Sequence, residues 1–215
     1  MKTIDGLTVP EAILRMAIPT FVERGYEKAS MDEVAARAST TKRTVYAHYR
    51  SKDGLFRAAL AKAVEMFLSE LPRLDATADP TSELEKFAGR FTEMCTWRGA
   101  VSLQRVVIAE AGRFPDLGAM LHRDVIQRTE RLVADYLSHF SMEAVPRPTA
   151  GDRRVLDMAS LFLNMTSGPL RFATLLQAQV PAQDHPDVKP SAAVDRDYIR
   201  RAVQVFVTGS GLSRA

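Results

Sequence analysis

Residues 30–57, SMDEVAARASTTKRTVYAHYRSKDGLFR, constrain the fold of this chain more than any other stretch. Ser30 followed by Glu33 is a capping box that opens a short helix over 31–38. Ser39, Thr40 and Thr41 make a turn, and a second helix runs from about Lys42 to Tyr49. Ser51 then caps a third helix. Val34, Ala35, Ala38 and Val45 hold the positions at which the first two helices pack together. Alanine at 35 and 38 lets the two backbones approach closely.

This layout predicts a helix-turn-helix, whose second helix fits the DNA major groove. The charge supports it. The chain carries only +3, but from Arg37 to Arg57 six basic residues stand against one acid, Asp53. That local excess of five leaves the rest of the chain with a net charge of −2. A confined basic patch on a nearly neutral body is the footprint of a nucleic-acid contact. The helix over 42–49 presents Lys42, Arg43, Thr44, Tyr46 and His48. Lysine and arginine neutralise phosphates or fork onto guanine; threonine and tyrosine bond phosphate oxygens or touch a thymine methyl. Lys52, in the first turn of the next helix, can hold a phosphate together with that helix's N–H groups. A solvated basic hairpin is the competing account. Packing residues, caps, turn and charge agree against it.

Helical signals dominate the remainder. Thr8 and Glu11 form another capping box, with Pro10 in the first turn. Val9, Ile13, Met16, Ala17 and Phe21 then recur at helical spacing up to Gly25, and Pro19 predicts a bend between them. The helix after Ser51 carries Leu55, Phe56, Ala59, Leu60, Ala63, Phe67 and Leu71, and ends at Pro72. Further helices are expected from Asp79-Pro80 to Thr96, over Trp97–Arg113 and over Pro115–Phe140. Ser141–Gly151 reads as a linker. Asp152–Leu176 is apolar and interrupted at Gly168-Pro169, Gln179–Ala193 is a proline-containing loop, and a last helix spans Asp195–Thr208. Nothing alternates with period two, so no sheet is expected.

The 215 residues are 46% hydrophobic, enough for a real core. Cys95 is the single cysteine, so no intrachain disulfide forms, which points to a reducing cytoplasm. Its bland account is a small buried hydrophobe; a redox sensor is the alternative. No apolar run reaches the about 18 residues of a membrane span. The segment MKTIDGLTVPEA lacks the apolar core of a secretion signal.

Val9–Leu60 resembles the N-terminal domain of the TetR family of bacterial transcription regulators. The matching residues are Phe21, Gly25 and Tyr26, then Met31–Ala38, then Lys42–Tyr49, then Ser51–Phe56. The resemblance implies an all-α fold of about nine helices. A three-helix DNA-binding domain over 1–51 would be joined by a long helix, from about 52, to a larger effector-binding and dimerisation domain over 52–215. It implies that Thr40, Thr41, Lys42, Arg43, Thr44 and His48 face the groove and that Tyr46 and Lys52 contact phosphates. Tyr49 matches an aromatic that packs inward. Ser39 departs from the pattern, standing where the family has a turn glycine, and Thr40 stands in place of valine. If that turn needs φ > 0, Ser39 costs about 1 kcal/mol.

Leu103–Leu117 is similar to the AefR-like or AcrR-like subgroup, whose C-terminal helices hold a ligand pocket and a dimer interface. Phe91, Met94, Trp97, Met120, Phe162, Met165 and Phe172 are large apolar residues on helices expected to face one another. Methionines and aromatics adapt to apolar ligands; ordinary helical core is the competing account. Gln104, Asn164, Thr166 and Arg171 are polar groups embedded in apolar helix, and a buried polar group wants a partner, from the protein or from a ligand. Apolar surfaces on the helices Asp152–Leu176 and Asp195–Thr208 are the expected dimer interface.

An enzyme is disfavoured. His48, His122, His139 and His185 show no metal-ligand spacing, and there is no nucleophile elbow or glycine-rich phosphate loop. No metal or cofactor is expected. A nucleoid-type binder would spread basic charge widely, and would leave about 150 residues without a role. The expected function is a ligand-responsive regulator, most consistent with a repressor. A homodimer would bind a palindromic operator and be released by a small apolar or amphipathic effector.

Overall fold

The computed structural model describes residues 3–4, 6–142, 149 and 151–214. The prolines of the expected linker lie outside these residues. Helices α1 (Val9–Lys28), α2 (Met31–Arg37), α3 (Lys42–Tyr49) and α4 (Lys52–Ser69) come first. They are followed by α5 (Pro80–Thr96), α6 (Arg98–Ala109), α7 (Pro115–Leu121), α8 (Arg128–Leu137), α9 (Arg153–Leu175) and α10 (Arg196–Ser210). A π-helical stretch, His122–Gln127, joins α7 to α8. Extended pairing among the described residues includes a bridge between Trp97 and Ala182 and two antiparallel ladders. The ladders join β1 (Thr3–Ile4) to β2 (Leu7–Thr8) and β3 (Phe140–Ser141) to β4 (Ser213–Arg214). These are too short to alter the all-α class.

Two compact units divide the chain. The first holds residues 1–69 and 102–121; the second holds 70–101 and 122–215. A division after residue 51, as read from the sequence, would therefore cut the first unit in two. The reason is packing: α4 lies along α1, and its buried Leu55, Phe56, Ala59 and Leu60 complete the core of the N-terminal helices.

In the first unit the core is aromatic. Phe21, Tyr26, Phe56 and Phe114 are all buried, with Phe21 and Phe56 at 4.8 Å and Tyr26 and Phe114 at 5.0 Å between ring centroids. Residues on both sides of Pro19 keep helical dihedrals. The break in α1 comes instead at Gly25, with φ 72° and ψ 172°, a region open to glycine and closed to side chains. It lets the last turn, ending in Lys28, redirect the chain into α2.

In the second unit α5, α8, α9 and α10 pack together. Leu84, Phe87, Phe91, Val133, Leu137, Phe162 and Val203 fill its core. The carboxylate of Glu93 is buried there and is neutralised by Arg196 at the start of α10. A side chain at Gly89 would collide with that guanidinium, so the ion pair needs a glycine beneath it. Helix α9 runs unbroken through Gly168-Pro169, where the sequence suggests an interruption.

Candidate functional site

The helix-turn-helix is built by local chemistry. The Ser30 hydroxyl accepts from the N–H of Glu33 at 3.1 Å and starts α2. The Thr41 hydroxyl accepts from the N–H of Thr44 at 3.1 Å and starts α3, and Ser51 accepts from Gly54 at 3.0 Å and starts α4. Each cap satisfies an orphan donor at a helix start. Ser39 has φ 49°, so a residue with a Cβ occupies a left-handed turn position. Arg50, after α3, has φ 62°. A side chain at Gly54 would collide with the backbone carbonyl of Tyr49, so the chain closes from α3 into α4 only with glycine there.

Val45 is fully buried between α2 and α3, with Val34, Ala35 and Ala38 beneath it. Its burial fixes which face of α3 points outward. Thr41, Lys42, Arg43, Tyr46 and His48 are all exposed, and Thr40 and Thr44 are half-buried. Tyr46 leaves 42% of its surface open, unusual for an aromatic on a short helix. Tyr49 faces inward, where its hydroxyl donates to the carbonyl of Pro10 at 2.8 Å and burial raises its pKa. The predicted hydroxyl, cationic and aromatic groups of α3 thus lie on the part of the helix that Val45 and Tyr49 leave open.

Two of the cations are already oriented by neighbours. The Lys42 ammonium pairs with Asp32 of α2 at 2.8 Å, and this hydrogen bond raises its pKa. Lys52 donates to the carbonyl of Glu27 at 2.8 Å and stands 4.6 Å from the centre of the Tyr26 ring. Tyr26 in turn bonds Asp53 through its hydroxyl. Burial, then that hydrogen bond, pushes the phenol up to about 12. Arg113 lies against the Tyr26 and Phe114 rings and pairs with Glu27, and Arg57 pairs with Asp116. Sequence reasoning placed Lys52 but missed this clamp, because Arg113 and Asp116 are remote in sequence from the residues they hold.

The ten residues read as pocket candidates are divided between the two units. Phe91, Met94 and Phe162 are core, with Phe162 packed on Phe206 at 5.2 Å. Trp97 packs edge-on against His185. Gln104 and Met120 belong to the first unit. Asn164 is exposed and bonds the carbonyl of Ser160, and Phe172 is 66% exposed. Met165 and Arg171 are half-buried on α9. None of the ten lines the cavity of about 260 Å3 that lies within the second unit. Thr166, singled out as an embedded polar residue, does line it.

Among the described residues Glu70, His185 and Asp187 form a group whose ligand atoms converge. Arg90 already fills that space, bonding Glu70 at 3.0 Å and Asp187 at 2.5 Å. The guanidinium holds the Asp187 carboxyl below the usual range. The cation there is the protein's own.

Comparison with known proteins agrees with this geometry. The model for bacterial regulatory proteins of the tetR family matches residues 13–59, and that for the AefR-like transcriptional repressor C-terminal domain matches residues 82–209. FasR, an HTH-type transcriptional activator of Mycolicibacterium smegmatis, is 42% identical over 57 residues, which is 26% of either chain. The HTH-type transcriptional regulator Mb1581 of Mycobacterium bovis is 26% identical over 174 residues, 80% of this chain and 79% of that one. A TetR-family regulator from Mesorhizobium loti superposes with a TM-score of 0.73 at 21% identity, covering 94% of this chain and 96% of that one. The flavonoid-responsive regulator FrrA does so with a TM-score of 0.70 at 22% identity, over the same shares.

Proposed function

The chain belongs to the TetR family of bacterial transcriptional regulators, and on that premise we propose that it is a ligand-responsive repressor acting as a homodimer on a palindromic operator. Thr40, Thr41, Lys42, Arg43, Thr44, Tyr46, His48 and Lys52 are its DNA-contacting residues. The observation that carries this reading is the outward face of α3. With Val45 buried against α2, the cationic and aromatic side chains of that helix, Lys42, Arg43, Tyr46 and His48, are left in solvent beside the exposed Thr41. One such helix reads a short half-site, so a two-fold dimer is needed for a longer palindrome.

The exposed apolar residues Leu161 and Phe172 of α9, Leu176 at its C-cap and Val205 of α10 support dimerisation through those helices. Repression, rather than activation, is supported by the C-terminal match over residues 82–209, whose description is a repressor. Release by an effector is supported by the chain's path. It passes between the two units at residues 69–70, 101–102 and 121–122, so a rearrangement of the second unit is transmitted covalently to the first. An effector acts only through its unequal affinity for the DNA-binding and released states. Among the described residues no helix is long and apolar enough to cross a membrane, and a regulator that acts on operator DNA belongs in the cytoplasm with that DNA.

The test is fluorescence anisotropy with DNA from the gene's own upstream region against a scrambled fragment of equal length. The reading requires preferential binding of the upstream DNA, as a dimer, and a rise in reporter expression when the gene is deleted. Equal affinity for both fragments overturns it.

A further inference from the structure

We propose that the cavity between α5, α9 and the start of α10 is a binding site for a compact, mainly apolar ligand that carries hydrogen-bond donors and no negative charge. This rests on the effector reading above and gives it a place and a chemistry.

The cavity measures about 260 Å3, near the lower end of the about 300–1,000 Å3 of ligand pockets. It suits one or two fused rings better than a long chain. Half its wall is apolar: Pro169, Leu170, Ala193, Val194 and Ile199. The polar half is unusual in what it offers. The Thr92 hydroxyl donates to the carbonyl of Ala88 at 2.7 Å, Thr166 to Phe162 at 2.8 Å and Tyr198 to Met165 at 2.8 Å. Each hydroxyl hydrogen is therefore spent on the backbone, and each oxygen keeps lone pairs that can only accept. Thr92 and Thr166 are 1% and 2% exposed, so an acceptor there meets little competition from water.

Asp195 adds a carboxylate, with one oxygen capping α10 through the N–H of Tyr198 at 2.9 Å. Gln179 is the one amide on the wall, and it is exposed. No lining residue is positively charged. A carboxylate or phosphate entering here would lose its water and meet oxygen lone pairs, whereas a hydroxyl or amino hydrogen would find acceptors in an apolar setting.

The probes are 2-naphthol and 2-naphthoate, which share a ring system and differ in presenting an uncharged O–H or a carboxylate. Titration calorimetry with the full chain at neutral pH is expected to give at least tenfold tighter binding of 2-naphthol. Ala193→Trp, which fills the cavity, abolishes that binding. Thr166→Val, which keeps the shape and removes an acceptor, weakens it threefold or more with an unchanged circular dichroism spectrum. Equal or tighter binding of 2-naphthoate, binding of neither probe, or unaltered binding by both variants overturns the proposal. If 2-naphthol binds as stated but leaves affinity for the upstream DNA unchanged, the site stands and its link to DNA release is wrong. If another compound still releases DNA from Ala193→Trp undiminished, the effector reading stands and this site is wrong.

Discussion

Tyr198 donates its hydroxyl hydrogen to the backbone carbonyl of Met165 at 2.8 Å. Pro169, four residues after Met165, has no N–H, so that carbonyl lacks its helical donor. A side chain of α10 thus supplies what α9 is missing, which explains why α9 continues through a proline. Tyr198→Phe is expected to cost about 0.5–1.5 kcal/mol in urea denaturation, the worth of one such bond. Pro169→Ala restores a backbone donor, so the cost of Tyr198→Phe should shrink in that background. Equal costs in both backgrounds would show that the two residues are not coupled.

The turn of the helix-turn-helix stores strain at Ser39, whose φ is 49°. Ser39→Gly removes the Cβ penalty and is expected to stabilise the first unit by several tenths to about 1 kcal/mol. Ser39→Val, β-branched at the same position, should destabilise it by more than that gain. Chemical denaturation followed by circular dichroism distinguishes them, and a neutral Ser39→Gly would place the strain elsewhere.

Local chemistry was legible in the sequence; long-range pairing was not. Ser30, Thr41 and Ser51 announced three helix starts, and the outward and inward positions of α3 follow from Val45 and Tyr49 alone. The need for φ > 0 at Ser39 was visible as a departure from a glycine. Gly25 breaks α1 where Pro19 was expected to bend it, because a proline within a helix forfeits one hydrogen bond but keeps helical dihedrals, whereas Gly25 leaves the helical region altogether. The cavity was missed since its wall joins α5, α9 and the loop before α10, and large apolar residues signal core as readily as pocket. Thr166 was the one usable sign. The Arg113 clamp was unreadable for the same reason, with its partner Glu27 86 positions away.

Lys42 and Asp32 form an exposed pair at 2.8 Å, so Asp32 competes with any phosphate for that ammonium. Lys42→Ala is expected to weaken DNA binding and to lower the slope of log K against log salt by about one. Asp32→Asn should do the reverse, tightening binding most at low salt. Tyr46→Ala should weaken binding, and unchanged binding by both Lys42→Ala and Tyr46→Ala would rule out α3 as the reading helix.

Cys95 is 3% exposed, and desolvation pushes its thiol up to about 11 from 9.0. The native thiol should resist a disulfide reagent at pH 8 and react only on unfolding. Because the folded value is the higher one, its contribution to stability is intact below about 9 and fades as pH rises toward about 11. Rapid labelling of the native protein at pH 8 would revive a redox role.

Leu161 and Phe172 of α9 and Leu176 at its C-cap are 60%, 66% and 62% exposed and follow one side of the helix, and Val205 of α10 is 61% exposed. An isolated exposed leucine means little, but a row of large apolar residues on two neighbouring helices costs free energy unless a partner covers it. A second copy presenting the same helices would cover it by two-fold symmetry, forming a four-helix interface. Placing one charge in the row taxes both copies at once, since each buries its own carboxylate against the other. Phe172→Glu and Leu161→Glu are therefore expected to sediment as monomers at concentrations where the parent is dimeric. Their circular dichroism should be unchanged, because neither side chain belongs to the core. Affinity for the palindromic fragment should fall by at least a hundredfold, while weak salt-sensitive binding to any DNA persists through the intact face of α3. A Phe172→Glu protein that remains dimeric with full operator affinity would put the interface on another surface.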